Sequence, residues 1–320
     1  MRTIRIPGVP IPLTQLVMGT GNDDYHPDYM DLVERLSDTY IELGGNTFDT
    51  AHQYEGSEEA LGRWMEKRKL RDKVVILTKG AHPDDNNVSR MNAESIYADM
   101  QESLARLRVS SVDMYALHRD DPAVEVGEIM EALHRLVDVG QARCLGVSNW
   151  TMERVVEANR YAAEQGLTPL MFTSTHFSLA KAQEPMWAGS IMADDKYLDW
   201  HARTQTPLLA WSSQACGFFS GRFSPEERSN PDIVRVYYNE RNWERLRRAR
   251  IIAEIKGVKP IQVSLSYVLH QPFPSLALIG PEKIEELRSS FDATRIALDD
   301  EQLRWLDLRA PHDLAPYESR

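Results

Sequence analysis

A carboxylate and a phenol stand five positions apart in this sequence, at Asp49 and Tyr54. They follow a turn at Gly44-Gly45, and the residues up to Asp49 are typical of the end of a short strand. A helix is predicted to begin near Ser57, which is a suitable N-cap residue. A carboxylate and a phenol delivered from a strand end into the following loop could form a proton-donating site.

Short apolar strands alternate with helical stretches along the chain. Eight strands are predicted, at 16–18, 47–49, 74–77, 112–117, 142–147, 170–173, 207–211 and 275–279. Apolar strands separated by helices indicate a parallel sheet. Eight of them in 320 residues favour an α/β fold of the closed (β/α)8 TIM-barrel type over an open doubly wound sheet. We expect one barrel domain over residues 1–320, with a short hairpin within 1–13 and extended βα loops after strands 6 and 7.

The carboxyl ends of the predicted strands carry the ionisable side chains. Active-site residues of a barrel collect where strands end and βα loops begin. Three successive strands end at such residues: the first at Asp49, with Tyr54 in the following loop, the second before Lys79 and the third before His118. Each has an ordinary structural interpretation, since an Asp can cap a helix, a Tyr can pack under a loop and a His is often simply hydrogen-bonded. A Lys seldom follows an apolar strand unless it is paired, and the joint placement favours a catalytic cluster.

Composition and charge narrow the class of protein. The net charge of -11 argues against a broad nucleic-acid-binding face. Cys144 and Cys216 both lie next to apolar residues, which suggests reduced, buried thiols in a cytoplasmic protein. No signal-peptide pattern or membrane-length apolar run is present. The nine histidines lack metal-ligand spacing, so no metal site is predicted.

The chain resembles the aldo-keto reductase family along almost its whole length. The matching stretches, in order, are 45–54, 57–62, 77–79, 113–120, 145–150, 210–214, 217–222 and 260–269. The combination in this order is specific, although no single piece is. The resemblance is greatest to the short bacterial NADP-dependent oxidoreductases of the family.

The resemblance implies NADPH-dependent reduction of an aldehyde or ketone to an alcohol. Tyr54 would give the proton to the carbonyl oxygen, and the Lys79 ammonium would lower the pKa of that phenol. Asp49 would pair with Lys79, because an unpaired buried ammonium is costly. His118 would donate a hydrogen bond to the substrate oxygen and orient it.

The resemblance also assigns residues to NADP(H). Ser148 and Asn149 would bind the nicotinamide carboxamide, and Trp211 would stack on the ring where the family more often has Tyr. Ser174 stands where the family usually has Gln, and it is shorter with fewer hydrogen-bonding atoms. The remaining cofactor residues are Gly19, Thr20, Ser212, Gln214, Gly217, Phe219, Ser220, Gly221, Arg222, Gly280, Lys283 and Arg288, with the cations among them facing a 2′-phosphate.

The substrate is expected to enter past Asn22, Tyr25 and Arg119. Most large side chains of segment 180–200 are interpreted as core, and polar segment 222–242 as a mobile lid. The tail 310–320 is expected to fray or to lie on the surface. The alternatives are a lyase or aldolase that uses Lys79 as a Schiff-base nucleophile and a slow-turnover nucleotide-binding barrel with a regulatory role.

Overall fold

Eight parallel strands close into a barrel in the computed structural model, which describes residues 2–310. The neighbouring strands follow chain order, and the last pairs with the first. The barrel strands are β3 (Leu16–Gly19), β4 (Thr47–Asp49), β5 (Val75–Gly80), β6 (Val112–Leu117), β7 (Ala142–Ser148), β8 (Leu170–His176), β9 (Leu208–Trp211) and β10 (Ser275–Ile279). The predicted TIM barrel is therefore confirmed, and each strand lies within a few residues of its predicted position.

An antiparallel hairpin of β1 (Thr3–Ile4) and β2 (Leu13–Thr14) precedes the barrel, as predicted. Ile6 and Leu13 are buried in the same apolar cluster as the barrel interior, which includes Phe172. The hairpin therefore closes the amino-terminal end of the barrel and leaves the carboxyl end for a site. The tail predicted at 310–320 lies outside the described residues from position 311 onward. The single domain over 1–320 stays a prediction.

Helices surround the barrel. They are α1 (Met30–Glu42), α2 (Ser57–Arg68), α3 (Ala93–Leu107), α4 (Val126–Asp138), α5 (Met152–Gln165), α6 (Asp195–Thr204), α7 (Pro231–Tyr237), α8 (Glu240–Lys256), α9 (Pro260–Leu269), α10 (Ile284–Ala293) and α11 (Asp300–Leu306). Long connections follow β8 and β9, which are the sixth and seventh barrel strands, as expected from the sequence. No helix within residues 2–310 is long and apolar enough to cross a bilayer.

Two local expectations are wrong. Ser57 is the first residue of α2 and not its N-cap, which is Gly56 with a positive φ of 70°. The Ser57 hydroxyl instead donates to the Thr20 carbonyl at 3.0 Å, so it links two loops of the barrel mouth. Cys144 is buried, but Cys216 is exposed because it lies in a loop at the carboxyl end of the barrel.

The hydroxyl of Tyr40 joins the first two barrel strands from helix α1. It lies 2.7 Å from the Leu16 carbonyl and accepts from the Thr47 backbone N–H at 3.1 Å. The ring is fully buried. A Cβ on Gly45 would lie 2.2 Å from this ring, which explains why the turn before β4 requires glycine there.

Tyr40→Phe is expected to lower the free energy of unfolding by about 1–3 kcal/mol, because it strips buried backbone groups of a partner. Urea denaturation measures the change, with Tyr161→Phe as the control. The Tyr161 hydroxyl contacts Glu131 on the outer surface, so its loss should cost much less. Equal losses in the two variants would contradict this role for Tyr40.

Candidate active site

The four predicted catalytic side chains meet at the carboxyl end of the barrel. Asp49 ends β4, Lys79 lies near the end of β5, and His118 follows β6. The Lys79 ammonium donates to Asp49 Oδ2 and to the Thr50 carbonyl, both at 2.8 Å. It lies 5.0 Å from the centre of the Tyr54 ring, and that ring meets the His118 ring edge-on at 5.5 Å.

Burial governs the electrostatics of the Tyr54–Lys79–Asp49 group. Burial raises the pKa of Tyr54 above its ordinary value, although the Lys79 charge opposes the rise. The Lys79 charge thus lowers the pKa of Tyr54 as expected, but burial outweighs it and the net pKa is raised. Burial by itself lowers the pKa of Lys79, but Asp49 and Tyr54 outweigh it and the net pKa is raised. The site thus holds a neutral phenol next to an ammonium at neutral pH.

His118 is a neutral imidazole. Burial, followed by the charges of Lys79 and Arg119, holds the pKa of His118 well below its usual range. Its Nδ1 is buried and has no hydrogen-bond partner among residues 2–310. A neutral imidazole carries one N–H, which is available to a ligand oxygen in the cavity.

The loop after β3 packs closely against the Tyr54 ring and holds it in place. A Cβ on Gly21 would lie 2.9 Å from Tyr54 Cε2 and Cζ. The loop after β3 can therefore approach the phenol this closely only with glycine at that position.

One cavity of about 890 Å³ extends from the catalytic group to the start of α10. Most of the predicted cofactor and substrate residues line it, together with Asp49, Tyr54, Lys79 and His118. They are Gly19, Asn22, Arg119, Ser148, Asn149, Ser174, Trp211, Ser212, Gln214, Gly217, Ser220, Arg222, Gly280 and Lys283.

Two residues predicted from the first strand end do not line this cavity. Tyr25 is buried beneath the loop, with its hydroxyl 2.8 Å from Ser37 Oγ. The Thr20 hydroxyl donates to the Asp49 carbonyl at the end of β4 at 3.1 Å and contacts the hydroxyl of Ser57 in α2. Both side chains stabilise the wall of the site without facing it.

Three other predicted cofactor residues also lie off the cavity. Phe219 is fully buried and packs edge-on against Phe218 at 5.4 Å. Gly221 has a φ of 91° and forms the turn that leads to Arg222. Arg288 is exposed on α10 and does not line the cavity, although Glu286 before it and Ser289 after it do.

The loop after β9 has left-handed backbone at several positions. Ser212, Ala215 and Cys216 have φ values of 48°, 49° and 49°. Gly217 follows with φ 82°, and a Cβ there would lie 2.3 Å from Arg222 Nη2. Left-handed conformations cost roughly 1 kcal/mol or more for residues with a side chain, so the loop has its shape at a cost in stability.

Aromatic side chains form one wall of the cavity. Trp211 stacks on His176 with ring centres 4.8 Å apart, and the Tyr237 hydroxyl lies 2.9 Å from His176 Nε2. Trp187 also lines the cavity, with its ring centre 5.4 Å from that of Trp211, and is 55% exposed. The buried Trp211 Nε1 and Ser174 Oγ have no partner among residues 2–310. Buried polar atoms normally have a partner, so these atoms fit a polar ligand in the cavity.

The structure changes the interpretation of segments 180–200 and 222–242. In 180–200, Met186 and Tyr197 are core residues as expected, but Trp187 lines the cavity. In 222–242, residues 225–230 form an exposed loop, and the mobile lid stays a prediction. Most of the rest lies in α7 and at the start of α8, and Tyr237 of α7 is fully buried against His176.

Sequence reasoning missed several lining residues. Gln53 lies within the family-matching stretch 45–54, and His82 lies just after the stretch 77–79. Their only sequence signal was this closeness to predicted site residues. Lys259 immediately precedes α9 and lies at the same end of the cavity as Lys283. Three carboxylates also line that end and reduce its net positive charge. They belong to Glu282, Glu285 and Glu286.

Known proteins resemble this chain over most of its length. Residues 15–308 match the model described as the Aldo/keto reductase family. Norsolorinic acid reductase of Emericella nidulans is 28% identical, covering 87% of this chain and 72% of the relative. A putative aryl-alcohol dehydrogenase of Saccharomyces cerevisiae is 29% identical, covering 87% and 77%. The aryl-alcohol dehydrogenase [NADP(+)] of Phanerodontia chrysosporium is 28% identical, covering 94% and 82%.

The His176 contact predicts a pH-dependent loss of stability. Burial lowers the pKa of His176 to about 3, whereas an unfolded histidine titrates near ~6.5. Its contribution to stability is therefore fully present above about pH 6.5 and is lost as pH falls toward about 3. Between about pH 6 and pH 5, the free energy of unfolding should fall by ~1 kcal/mol more in the wild type than in His176→Gln.

Chemical denaturation at the two pH values measures this difference. Tyr237→Phe is the matched control, because it removes the hydrogen bond to His176 and keeps the buried imidazole. It should retain the steep wild-type dependence on pH. An equally steep dependence in His176→Gln would rule out His176 as the source.

Proposed function

Because the chain belongs to the aldo/keto reductase family, we propose that it reduces an aldehyde or ketone to an alcohol with NADPH and that Tyr54 donates the proton. The observation that carries the proposal is the neutral Tyr54 phenol beside the Lys79–Asp49 ion pair, with His118 on the same cavity wall. The names of relatives as reductases and dehydrogenases support the reaction class.

Tyr54 acts as the general acid. Negative charge builds on a carbonyl oxygen during reduction, and a positioned O–H group can donate a proton to it. The raised pKa of Tyr54 keeps the phenol protonated until that charge develops. The Lys79 ammonium then stabilises the phenolate that remains.

His118 orients the substrate oxygen. Its low pKa keeps the imidazole neutral, so its N–H donates a hydrogen bond without competing for the proton that Tyr54 supplies. Two contacts to the His118 carbonyl fix the backbone at this point, from Arg119 Nη1 at 3.0 Å and from Asn149 Nδ2 at 3.2 Å.

The cavity fits a nicotinamide dinucleotide, which would supply the hydride when bound. Ser148 and the unpartnered Ser174 hydroxyl suit the carboxamide, and Trp211 provides an aromatic face. The amide of Asn149 already contacts His118, Ser148 and Ile191, so it also braces the loops. We assign the phosphates to the other end, where the lining cations are Arg222, Lys259 and Lys283. The relative named with NADP(+) supports this choice of cofactor.

A Schiff-base role for Lys79 is disfavoured. The raised pKa of Lys79 keeps it as an ammonium, because Asp49 and Tyr54 outweigh burial. Its Nζ also donates to two fixed oxygens, Asp49 Oδ2 and the Thr50 carbonyl. An amine nucleophile must be unprotonated.

Tyr54→Phe should lower kcat for aldehyde reduction by about 10²- to 10⁴-fold, the usual contribution of a general acid. NADPH affinity should stay within a few-fold, since the ring is kept. Loss of NADPH absorbance measures kcat with a panel of aldehydes, ketones and quinones. Retention of most of the activity by Tyr54→Phe would overturn its role as proton donor. A wild-type protein that binds NADPH but reduces no carbonyl in a single turnover would favour the regulatory alternative.

Lys283→Gln tests the assignment of the phosphate end. It should weaken NADPH binding by about three- to tenfold and leave NADH binding within twofold, because an exposed charge contributes modestly. Fluorescence titration gives both dissociation constants. Lys196→Gln, on the exposed surface of α6, is the control. Equal weakening for NADPH and NADH would show that Lys283 does not discriminate the 2′-phosphate.

A further inference from the structure

Arg119 is a fixed cation on the substrate side of the cavity. Its Nη1 donates to the His118 carbonyl at 3.0 Å, and its Nε donates to the Ala188 carbonyl at 3.2 Å. These two carbonyls hold the guanidinium beside the catalytic histidine, and the side chain lines the cavity. Donors on this guanidinium remain for a ligand, because it has five N–H groups.

No carboxylate pairs with Arg119 among residues 2–310. The next acid in the chain, Asp120, pairs instead with Arg154 Nε at 3.3 Å. The Asp121 side chain accepts from the Ala123 backbone N–H at 3.0 Å. Burial lowers the pKa of Arg119, opposed only by Tyr54. A half-buried charge without a counter-ion is costly, so an anion in the cavity would stabilise it.

The other lining cations have different partners or positions. Lys79 is paired with Asp49. Arg222, Lys259 and Lys283 come from the loop after β9 and from the starts of α9 and α10, at the opposite end. Arg119 is thus the cation left for a substrate within the described residues.

We propose that Arg119 binds a carboxylate of the substrate, so that the preferred substrates are aromatic aldehydes or ketones that carry an anionic group. This inference rests on the proposed function. The planar guanidinium suits a carboxylate, since the two can form parallel hydrogen bonds. Trp187 supplies the apolar contact for the aromatic body: it is 55% exposed, lines the same cavity and lies in the segment that Arg119 holds through Ala188.

Matched pairs of substrates test the proposal. We suggest 2-, 3- and 4-formylbenzoate, each compared with its neutral methyl ester in the presence of NADPH. At least one acid should have a kcat/KM about 10- to 100-fold above that of its ester, the range for a charged hydrogen-bonded pair. The isomer that gains most reports how far the anion site lies from the reacting carbon.

Variants of Arg119 make the comparison specific. In Arg119→Gln the acid-to-ester ratio should fall to about one, and Arg119→Lys should give an intermediate ratio because it keeps the charge and loses the planar fork. The ratio is taken within each variant, so a general loss of activity cancels. Arg35→Gln, on the exposed face of α1, controls for net charge and should keep the wild-type ratio.

A binding measurement separates failure of this proposal from failure of the reductase function. Calorimetric titration with benzoate and benzamide, in the presence of saturating NADP⁺, needs no turnover. Benzoate binding that is lost in Arg119→Gln supports the anion site even if no aldehyde is reduced. Reduction of acids and esters at equal rates, with equal binding of benzoate to wild type and Arg119→Gln, overturns the anion site and leaves the reductase function standing.

Discussion

The ion pair between Lys79 and Asp49 is the contact on which the rest of the site depends. Removing two charges from water costs several kcal/mol for each, and their attraction offsets this cost only if the geometry is good. The 2.8 Å contact to Asp49 and the second bond to the Thr50 carbonyl meet that condition for the ammonium. The barrel makes the pair possible, because β4 and β5 are neighbours in register. Burial sets the direction of the pKa shifts of Tyr54 and His118, and the Lys79 charge lowers the pKa of each.

The two halves of the cavity are built differently. On the substrate side, Arg119 and Asn149 bond the His118 carbonyl and reach across to the carbonyl of Ala188 and the N–H of Ile191, so three loops are cross-linked. The phosphate end relies on the single long loop after β9 and on the starts of two helices. These cross-links hold the substrate side rigid, which suits a site where small shifts in geometry change the reaction rate strongly.

The barrel and the catalytic group could be predicted because apolar strands end at these side chains and parallel strands bring their ends together. The degree of burial of each side chain could not be predicted in the same way. The sequence places Lys79 near Tyr54 but does not show that burial outweighs its charge in setting the Tyr54 pKa. Asn22 and Tyr25 look alike as rim candidates, yet three positions along a turn put one at the cavity and the other in the core. Lys259 was missed because its place depends on how α9 packs.

The left-handed backbone of the loop after β9 limits how this protein can diverge. β-Branched residues are strongly disfavoured at positive φ, and Ser212, Ala215 and Cys216 all have φ values near 49°. Substitutions at these three positions are therefore limited to side chains that tolerate positive φ, unless the backbone of the loop changes. Trp211, just before the loop at the end of β9, carries no such restriction. Evolution of new specificity is thus expected to exchange the aromatic residue more readily than its neighbours.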